Sequence, residues 1–178
     1  MLIRIIFIIF CVALLTSCSE PSVSISYDDT SRQECYAAGM LEKDCTHALE
    51  LVKNIIPTVN DNRDLIYELA DIRTWSYLGL HYAEKLRAAV ALHIARSTGN
   101  EDKREEAIAH LEKGLKYWDE VIAITRPLYN DMPLTHLQGY GRGDRDGSHW
   151  QKYDNLLFHW AIIRPDVEKD IEIAKELK

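Results

Sequence analysis

The fold is decided by residues 63–97, RDLIYELADIRTWSYLGLHYAEKLRAAVALHIARS, the longest uninterrupted helical pattern in the chain. Apolar and small residues recur there in alternating steps of four and three, which places them in one seam along an α-helix. This seam comprises Leu65, Leu69, Ile72, Ser76, Gly79, Ala83, Leu86 and Val90, and a second set, Trp75, Leu78, Tyr82, Ala89 and Leu92, widens the expected buried face. Because the middle of the seam is small, a neighbouring backbone can approach closely. The stretch therefore predicts a long central helix.

The sequence on either side of this stretch predicts further helices joined by short links. Pro57 ends a first helical stretch over about 33–56, and Asn60-Asp61-Asn62 offers caps for the central helix. After it, Gly99 suits a left-handed helix end and Asn100 suits a cap. A helix over about 101–125 should therefore follow at once and form an antiparallel hairpin with the central one.

The last third of the chain has a more broken pattern. Arg126-Pro127 interrupts the helical spacing, and an irregular segment over about 128–149 follows. A loop of this length inside a compact domain is usually functional or mobile. A short helix is expected over about 150–160, and Pro165 suits the first turn of a last helix ending near Leu177. The fold class is therefore predicted as an all-α bundle of about four to five helices with one long loop.

The first residues of the chain carry the pattern of a secretory signal. One positive charge, Arg4, precedes an apolar run that is too short to span a bilayer comfortably. Leu15-Thr16-Ser17-Cys18 then resembles the lipobox of bacterial lipoproteins, in which the cysteine receives a diacylglycerol. That resemblance implies cleavage before Cys18 and acyl chains on it, and two or more chains hold a protein stably on a membrane. An ordinary signal peptide that contains a cysteine is the alternative.

Three segments follow from this interpretation. Residues 1–17 are the signal peptide, 18–32 are the lipidated cysteine and a serine-rich flexible tether, and 33–178 are the helical domain. Ser19 stands where some lipoproteins carry an aspartate that retains them in the inner membrane. We therefore expect a lipid-anchored protein of the cell envelope, with the outer membrane favoured over the inner.

The charge balance excludes nucleic acid as the expected partner. Cleavage before Cys18 removes Arg4 from the 21 basic residues and none of the 28 acidic ones, which leaves a net charge of about −8. Phosphate binding needs a clustered basic face, and the sequence shows none. The expected partners are the membrane, through the lipid, and an envelope protein or a glycan.

Four cysteines are present, and two of them belong to the helical domain. Cys11 leaves with the signal peptide and Cys18 is the lipid site, so Cys35 and Cys45 remain. A continuous helix would separate these two by about 15 Å, too far for a disulfide. A Cys35–Cys45 disulfide therefore requires a bend, for which Gly39 is the candidate position, and two free thiols are the equally open alternative.

No catalytic or metal-binding motif is present in the sequence. It has no His-Glu-x-x-His, no Gly-x-Ser-x-Gly and no phosphate-binding glycine loop. An acidic run that starts at Asp144 departs from a calcium loop, because His149 and Asn155 occupy the positions that require glycine and glutamate. We therefore assign no catalytic residue, metal or cofactor, although two carboxylates that converge in space could still support hydrolysis.

A group of aromatic and polar residues lies in and near the long loop. Tyr140, His149, Trp150 and Tyr153 are the candidate ligand-binding residues, because aromatic faces can stack on sugar rings. The favoured alternative is that most members of this group are core residues. The whole group is Trp118, Tyr129, His136, Tyr140, His149, Trp150, Tyr153 and Trp160.

Three stretches carry a further resemblance: 71–89, DIRTWSYLGLHYAEKLRAA; 107–118, AIAHLEKGLKYW; and 167–174, VEKDIEIA. They resemble the C-terminal helical region of polysaccharide-degrading enzymes from Bacteroidetes-type bacteria, over roughly residues 45–177. The matched region carries no catalytic motif, so the resemblance implies an accessory or remnant helical module rather than the enzymatic activity. Segment 83–118 also resembles a tetratricopeptide-like helix pair, without a clear repeat.

These observations lead to one expected function and two alternatives. We expect a membrane-anchored lipoprotein with a non-catalytic helical accessory or interaction module in glycan utilisation. The first alternative is a carbohydrate-binding lipoprotein that uses the loop at 128–155. The second is a cryptic glycan hydrolase.

Overall fold

The computed structural model describes residues 27–133 and 157–176 of the chain, and this part is an all-α bundle. Its helices are α1 (Tyr27–Ile55), α2 (Arg63–Thr98), α3 (Glu101–Thr125) and α4 (Trp160–Glu176). A short 3-10 helix, Ile56–Thr58, follows α1, and strand β1 (Met132–Pro133) pairs antiparallel with β2 (Leu157–Phe158). The predicted fold class is confirmed. The chain divides at Thr30 into two compact units, and the contacts described below belong to the second, Ser31–Lys178.

The predicted hairpin of α2 and α3 is confirmed within one residue at each end. Asn62 begins α2 by accepting a hydrogen bond from the backbone N–H of Leu65 at 3.2 Å. Gly99 closes the helix with a left-handed φ of 68°, a conformation that glycine adopts without steric cost. Asn100 then accepts from the backbone N–H of Lys103 at 3.3 Å and begins α3. The turn is therefore specified by local side-chain chemistry.

The outer helices begin earlier than predicted. Helix α1 starts at Tyr27, so residues 27–32, which were expected to belong to the flexible tether, have helical backbone. Helix α4 starts at Trp160 and contains Pro165 in its interior, so the expected start at Pro165 is wrong. The reason is His159, whose Nδ1 accepts the backbone N–H of Ala161 at 3.0 Å and so caps the helix five residues before the proline is reached.

The short helix expected over 150–160 is also wrong where the structure describes it. Leu157 and Phe158 form β2, with Phe158 opposite Met132 and Leu157 opposite Pro133. The predicted loop at 128–149 is described only at its start, where β1 occupies 132–133. The antiparallel pair brings the two ends of the segment between α3 and α4 together beside the start of α4.

The core lies where α2, α3 and α4 meet. Its residues are mostly alanine, which lets the helices approach closely. This core cluster comprises Ala88, Ala91, Ala107, Leu111, Ile171 and Ala174. Salt bridges flank it: Lys85 of α2 donates to Asp170 at 2.7 Å, and Arg164 of α4 donates to Asp119 at 2.7 Å. A smaller cluster of Val52, Val59 and Leu69 joins the end of α1 to the start of α2.

Helix α1 contacts α2 at Gly79. A Cβ atom at this position would lie well inside van der Waals contact of Cys45 Sγ, so any larger residue requires the thiol to move. Cys45 is half-buried and Cys35 is exposed, and both are free thiols. Helix α1 runs through Gly39 and includes both cysteines, so the bend that a Cys35–Cys45 disulfide requires is missing and that disulfide is not formed.

The buried side of α2 differs from the predicted one. Leu69, Ser76, Ala83 and Val90 of the expected seam are buried. Trp75 and Tyr82, which were expected to widen the buried face, are exposed, as is Ala89. Their places in the core are taken by smaller or polar residues that face α3, namely Ala70, Thr74, His81, Glu84, Ala88 and Ala91. Large rings do not fit between two backbones at alanine packing distance, so the prediction from apolar spacing was wrong here.

Within residues 27–133 and 157–176, no helix is both long enough and apolar enough to cross a membrane.

Candidate functional site

The most prominent candidate site is an exposed aromatic face on α2. Tyr67, Asp71, Trp75 and Tyr82 follow one another at steps of four, four and seven residues, which keeps them on one side of the helix. Trp75 is 55 % exposed and Tyr82 is 56 % exposed. Tyr129, just after α3, lies beside Tyr67. These five residues are called the aromatic face below.

One end of the aromatic face is held in place by contacts between its own members. Tyr129 Oη donates a hydrogen bond to Asp71 Oδ1 at 2.6 Å, and the rings of Tyr67 and Tyr129 are 6.1 Å apart at an angle of 51°. Burial and the hydrogen bond to Asp71 raise the pKa of Tyr129 to about 12, so its hydroxyl stays a donor at neutral pH. The positions of these two tyrosine rings are therefore fixed by contacts within the protein.

The spacing of the two most exposed rings suits an extended ligand. Seven residues separate Trp75 from Tyr82, which places their Cα atoms about 10 Å apart along the helix axis. An extended β-linked glycan presents the same ring face at every second sugar, a repeat of similar length. Asp71 is exposed beside them, and its carboxylate can accept sugar hydroxyls. The face thus combines flat apolar surfaces with a hydrogen-bond acceptor.

A second candidate is a charged cluster between α1, α2 and α3. At its centre the side chain of Glu84 is 1 % exposed. Its Oε1 accepts from Arg87 at 2.9 Å and from Lys113 at 2.8 Å, and its Oε2 accepts from His110 Nδ1 at 2.6 Å. Glu42 of α1 pairs with Arg87 at 2.5 Å and with Lys113 at 3.6 Å. Two carboxylates and three basic side chains therefore tie three helices together.

The electrostatics of this cluster indicate a structural role. Burial by itself would raise the pKa of Glu84, but hydrogen bonds from Lys113 and His110 and the nearby positive charges lower it overall. The hydrogen bond to Glu84 in turn raises the pKa of Lys113. Glu84 is therefore ionised at neutral pH, enclosed and already bound by its neighbours. A general acid or base must reach a substrate, and Glu84 cannot.

His81 is the other buried titratable residue of α2. Its Nδ1 donates to the backbone oxygen of Gly114 at 3.0 Å, and its ring lies edge-on to Trp118 with centroids 5.1 Å apart. Burial lowers the pKa of His81 despite the opposing effect of that hydrogen bond. Glycine at position 114 permits this contact, because a Cβ atom there would crowd the ring at 3.3 Å from His81 Nδ1. We infer that His81 is a neutral, structural histidine.

Among the side chains that the structure describes, no group of three or more histidine, cysteine, aspartate or glutamate residues could hold a metal ion.

The site residues predicted from the sequence fall mostly elsewhere. Cys18, Tyr140, His149, Trp150 and Tyr153 lie outside the described residues, so their roles stay predictions. Of the wider aromatic group, Trp118 is buried and donates from Nε1 to the backbone oxygen of Trp160 at 3.0 Å, as a core residue would. Tyr129 instead belongs to the aromatic face.

The aromatic face was missed because apolar periodicity treats large rings as buried residues. One signal in the sequence could have separated it from the core. Tyr67, Trp75 and Tyr82 occupy an arc of the helix distinct from Ser76, Gly79 and Ala83, and Asp71 lies within the aromatic arc. A charged residue among rings is typical of a solvated face.

Comparison of the chain with protein-family models, curated proteins and solved structures gives no match.

Proposed function

We propose that the protein is a lipid-anchored, non-catalytic helical module of the bacterial cell envelope that binds an extended glycan through its aromatic face. The observation that carries the proposal is the exposure of Trp75 and Tyr82 by more than half on one side of the central helix. A rigid helix that keeps large rings in water offers a preformed binding surface.

The chemistry of the face favours a glycan. Its rings lie about 10 Å apart along the axis, its one carboxylate accepts hydroxyls, and a neutral sugar chain is not repelled by the protein's net negative charge. An envelope protein is the second candidate partner, because tryptophan and tyrosine are also enriched among the residues that dominate protein–protein affinity.

Two observations support a non-catalytic role over a cryptic hydrolase. The carboxylate of Glu84 is buried and already bound by three basic side chains. The exposed acid of the aromatic face, Asp71, is held by Tyr129. Retaining and inverting glycosidases need two carboxyl groups that face a common substrate, and neither residue offers such an arrangement.

Binding of soluble glycans tests the proposal directly. Affinity electrophoresis of the full-length protein in xylan, mixed-linkage β-glucan and glucomannan should show retardation in at least one polymer. Trp75→Ala and Tyr82→Ala should each weaken it about tenfold, since one aromatic stack contributes about 0.5–1.5 kcal/mol beyond its area. Tyr36→Ala is the matched control, because Tyr36 is 71 % exposed on α1, outside the aromatic face.

The same experiment separates the rival hypotheses. Retardation that is unchanged in the Trp75 and Tyr82 variants but lost in Trp150→Ala would reject the aromatic face and support the binder that uses the loop at 128–155. Release of reducing sugar by the wild-type protein would support the hydrolase. Absence of retardation in every polymer would reject glycan binding and leave the envelope protein as the partner to seek.

Intact mass tests the proposed anchor. The protein extracted from membranes should lack residues 1–17 and carry an added mass of diacylglycerol size or larger. Cys18→Ala should abolish both the added mass and the membrane association. Separation of inner and outer membranes then tests the proposed outer-membrane location. A wild-type protein without lipid would reject the anchor while leaving the aromatic face untouched.

A further inference from the structure

A cavity of about 470 Å³ lies at the end of the bundle where α1 passes into α2 and where α3 ends. Its lining is mostly apolar: Val59, Leu69 and Ile124 are buried, whereas Ile56 and Ala123 are exposed. The cavity is an open cleft and not an enclosed pocket, and its volume is within the range of small-molecule clefts, which are typically apolar with a few well-placed polar groups. The cavity is distinct from the aromatic face, whose members do not line it.

Among the described residues, Arg73 is the one charged side chain that lines the cavity. It is half-buried, and its charge lies near Tyr77, whose pKa it acts to lower. No hydrogen bond or ion pair joins Arg73 to another side chain of the described residues. Arg87, Arg126 and Arg164, by contrast, all pair with carboxylates. A partly buried guanidinium that has no carboxylate partner among the described residues can still bind an anionic ligand.

We propose that this cavity binds a small amphipathic monocarboxylate, with its acyl chain against the apolar wall and its carboxylate on Arg73. Arginine presents parallel N–H groups that match both oxygens of a carboxylate. Asn60, the other polar side chain of the lining, can donate a further hydrogen bond. A single guanidinium balances a single negative charge, which favours a carboxylate over a phosphate dianion. Free fatty acids of medium chain length have this chemistry.

Photo-crosslinking in membranes from cells that express the full-length protein tests this site. The probe is decanoic acid carrying a diazirine near its methyl end, and its matched control is the corresponding amine. Peptide mass spectrometry should place the label of the acid on Ile56–Val59 and on residues 123–128. Unlabelled decanoate should compete, and affinity should rise about fourfold with each added methylene, since a buried CH₂ contributes about 0.8 kcal/mol.

Two variants identify what the label depends on. Arg73→Gln should reduce labelling by the acid at least tenfold, while Arg63→Gln, an exposed arginine of the same helix that does not line the cavity, should leave it unchanged. Ala123→Phe fills the cavity without altering its charge and should also abolish labelling, with the helical circular dichroism retained.

Three results would overturn the proposal. These are equal labelling by the acid and the amine, undiminished labelling in Arg73→Gln, and undiminished labelling in folded Ala123→Phe. If Arg73→Gln fails to fold, the filled-cavity variant decides the outcome. The result is independent of glycan binding, because Arg73 lies outside the aromatic face.

Discussion

The two sides of α2 reverse the usual distribution of residue types. The side that packs on α3 carries alanine together with a histidine and a glutamate, whereas the opposite side carries Trp75 and Tyr82. On α2, the size of a side chain determines whether it is buried more strongly than its polarity does. Backbones that approach at alanine distance exclude large rings, and they admit a charged side chain only where partners already surround it, as they surround Glu84. One side of α2 therefore holds the bundle together, and the other side presents exposed rings to solvent.

The largest effect on stability is expected from loss of the buried Glu84 carboxylate on the side of α2 that packs on α3. Glu84→Gln should lower the free energy of unfolding by about 3 kcal/mol, because Arg87, Lys113 and His110 lose the carboxylate that neutralises them. Urea unfolding measures this. Glu106→Gln is the control, since Glu106 forms one exposed ion pair with Lys103 and should change stability by about 0.5 kcal/mol or less. Equal effects of the two variants would contradict a central role for Glu84.

Acid should weaken the same interaction. The pKa of Glu84 is lowered in the folded protein, so its contribution is fully present above the ordinary pKa of 4.5 and is lost as the pH falls through the folded value. The stability difference between wild type and Glu84→Gln should therefore shrink below about pH 4.5, as Glu84 takes up a proton. Urea unfolding at a series of pH values measures it. A difference that does not shrink between about pH 5 and pH 2 would refute the assignment.

The contact of α1 with α2 at Gly79 can be tested by a substitution whose effect on stability should change sign. Gly79→Ala should destabilise the protein by about 1 kcal/mol, because the new methyl group would overlap Cys45 Sγ. In a Cys45→Ala background the same substitution should stabilise it by up to about 1 kcal/mol, since alanine favours the helix more than glycine does. A double-mutant cycle measures the coupling. Equal effects in both backgrounds would show that the thiol does not limit this contact.

The smallest effect on stability is expected from a substitution in the aromatic face. Tyr82→Ala should change the free energy of unfolding by about 0.5 kcal/mol or less, because its ring is mostly in water. The same variant should lose most of its glycan retardation. A large loss of stability would indicate that the ring belongs to the core and would remove the basis for the aromatic face as a binding surface.

Much of the fold was predictable because it depends on near neighbours in the chain. The caps Asn62 and Asn100 and the left-handed Gly99 act within a few residues of their own position, so the bounds of α2 and α3 followed from local chemistry. The start of α4 did not, because Pro165 is a common first-turn residue and the cap His159 belongs to a type that rarely serves as one.

The candidate sites depended on contacts between distant residues. Glu84 meets His110 and Lys113 across the hairpin, and Arg73 reaches a cavity whose far wall comes from the end of α3. Apolar spacing could not identify these contacts, since it shows which residues share a side of a helix but not which side meets a neighbour. The exposed rings of Trp75 and Tyr82 were assigned to the core for the same reason.

The all-α class and the α2–α3 hairpin with its caps could be predicted from local patterns, because helix periodicity and capping act over one or two turns. The lipobox-like start of the sequence also supports the proposed anchor at Cys18. Three features became visible only in the folded chain: which side of α2 is buried, the separation of Cys35 and Cys45 along one helix, and the position of Arg73 beside an apolar cavity. These features depend on packing, because small residues let two helices approach closely and the closely packed backbones then exclude large side chains from between them.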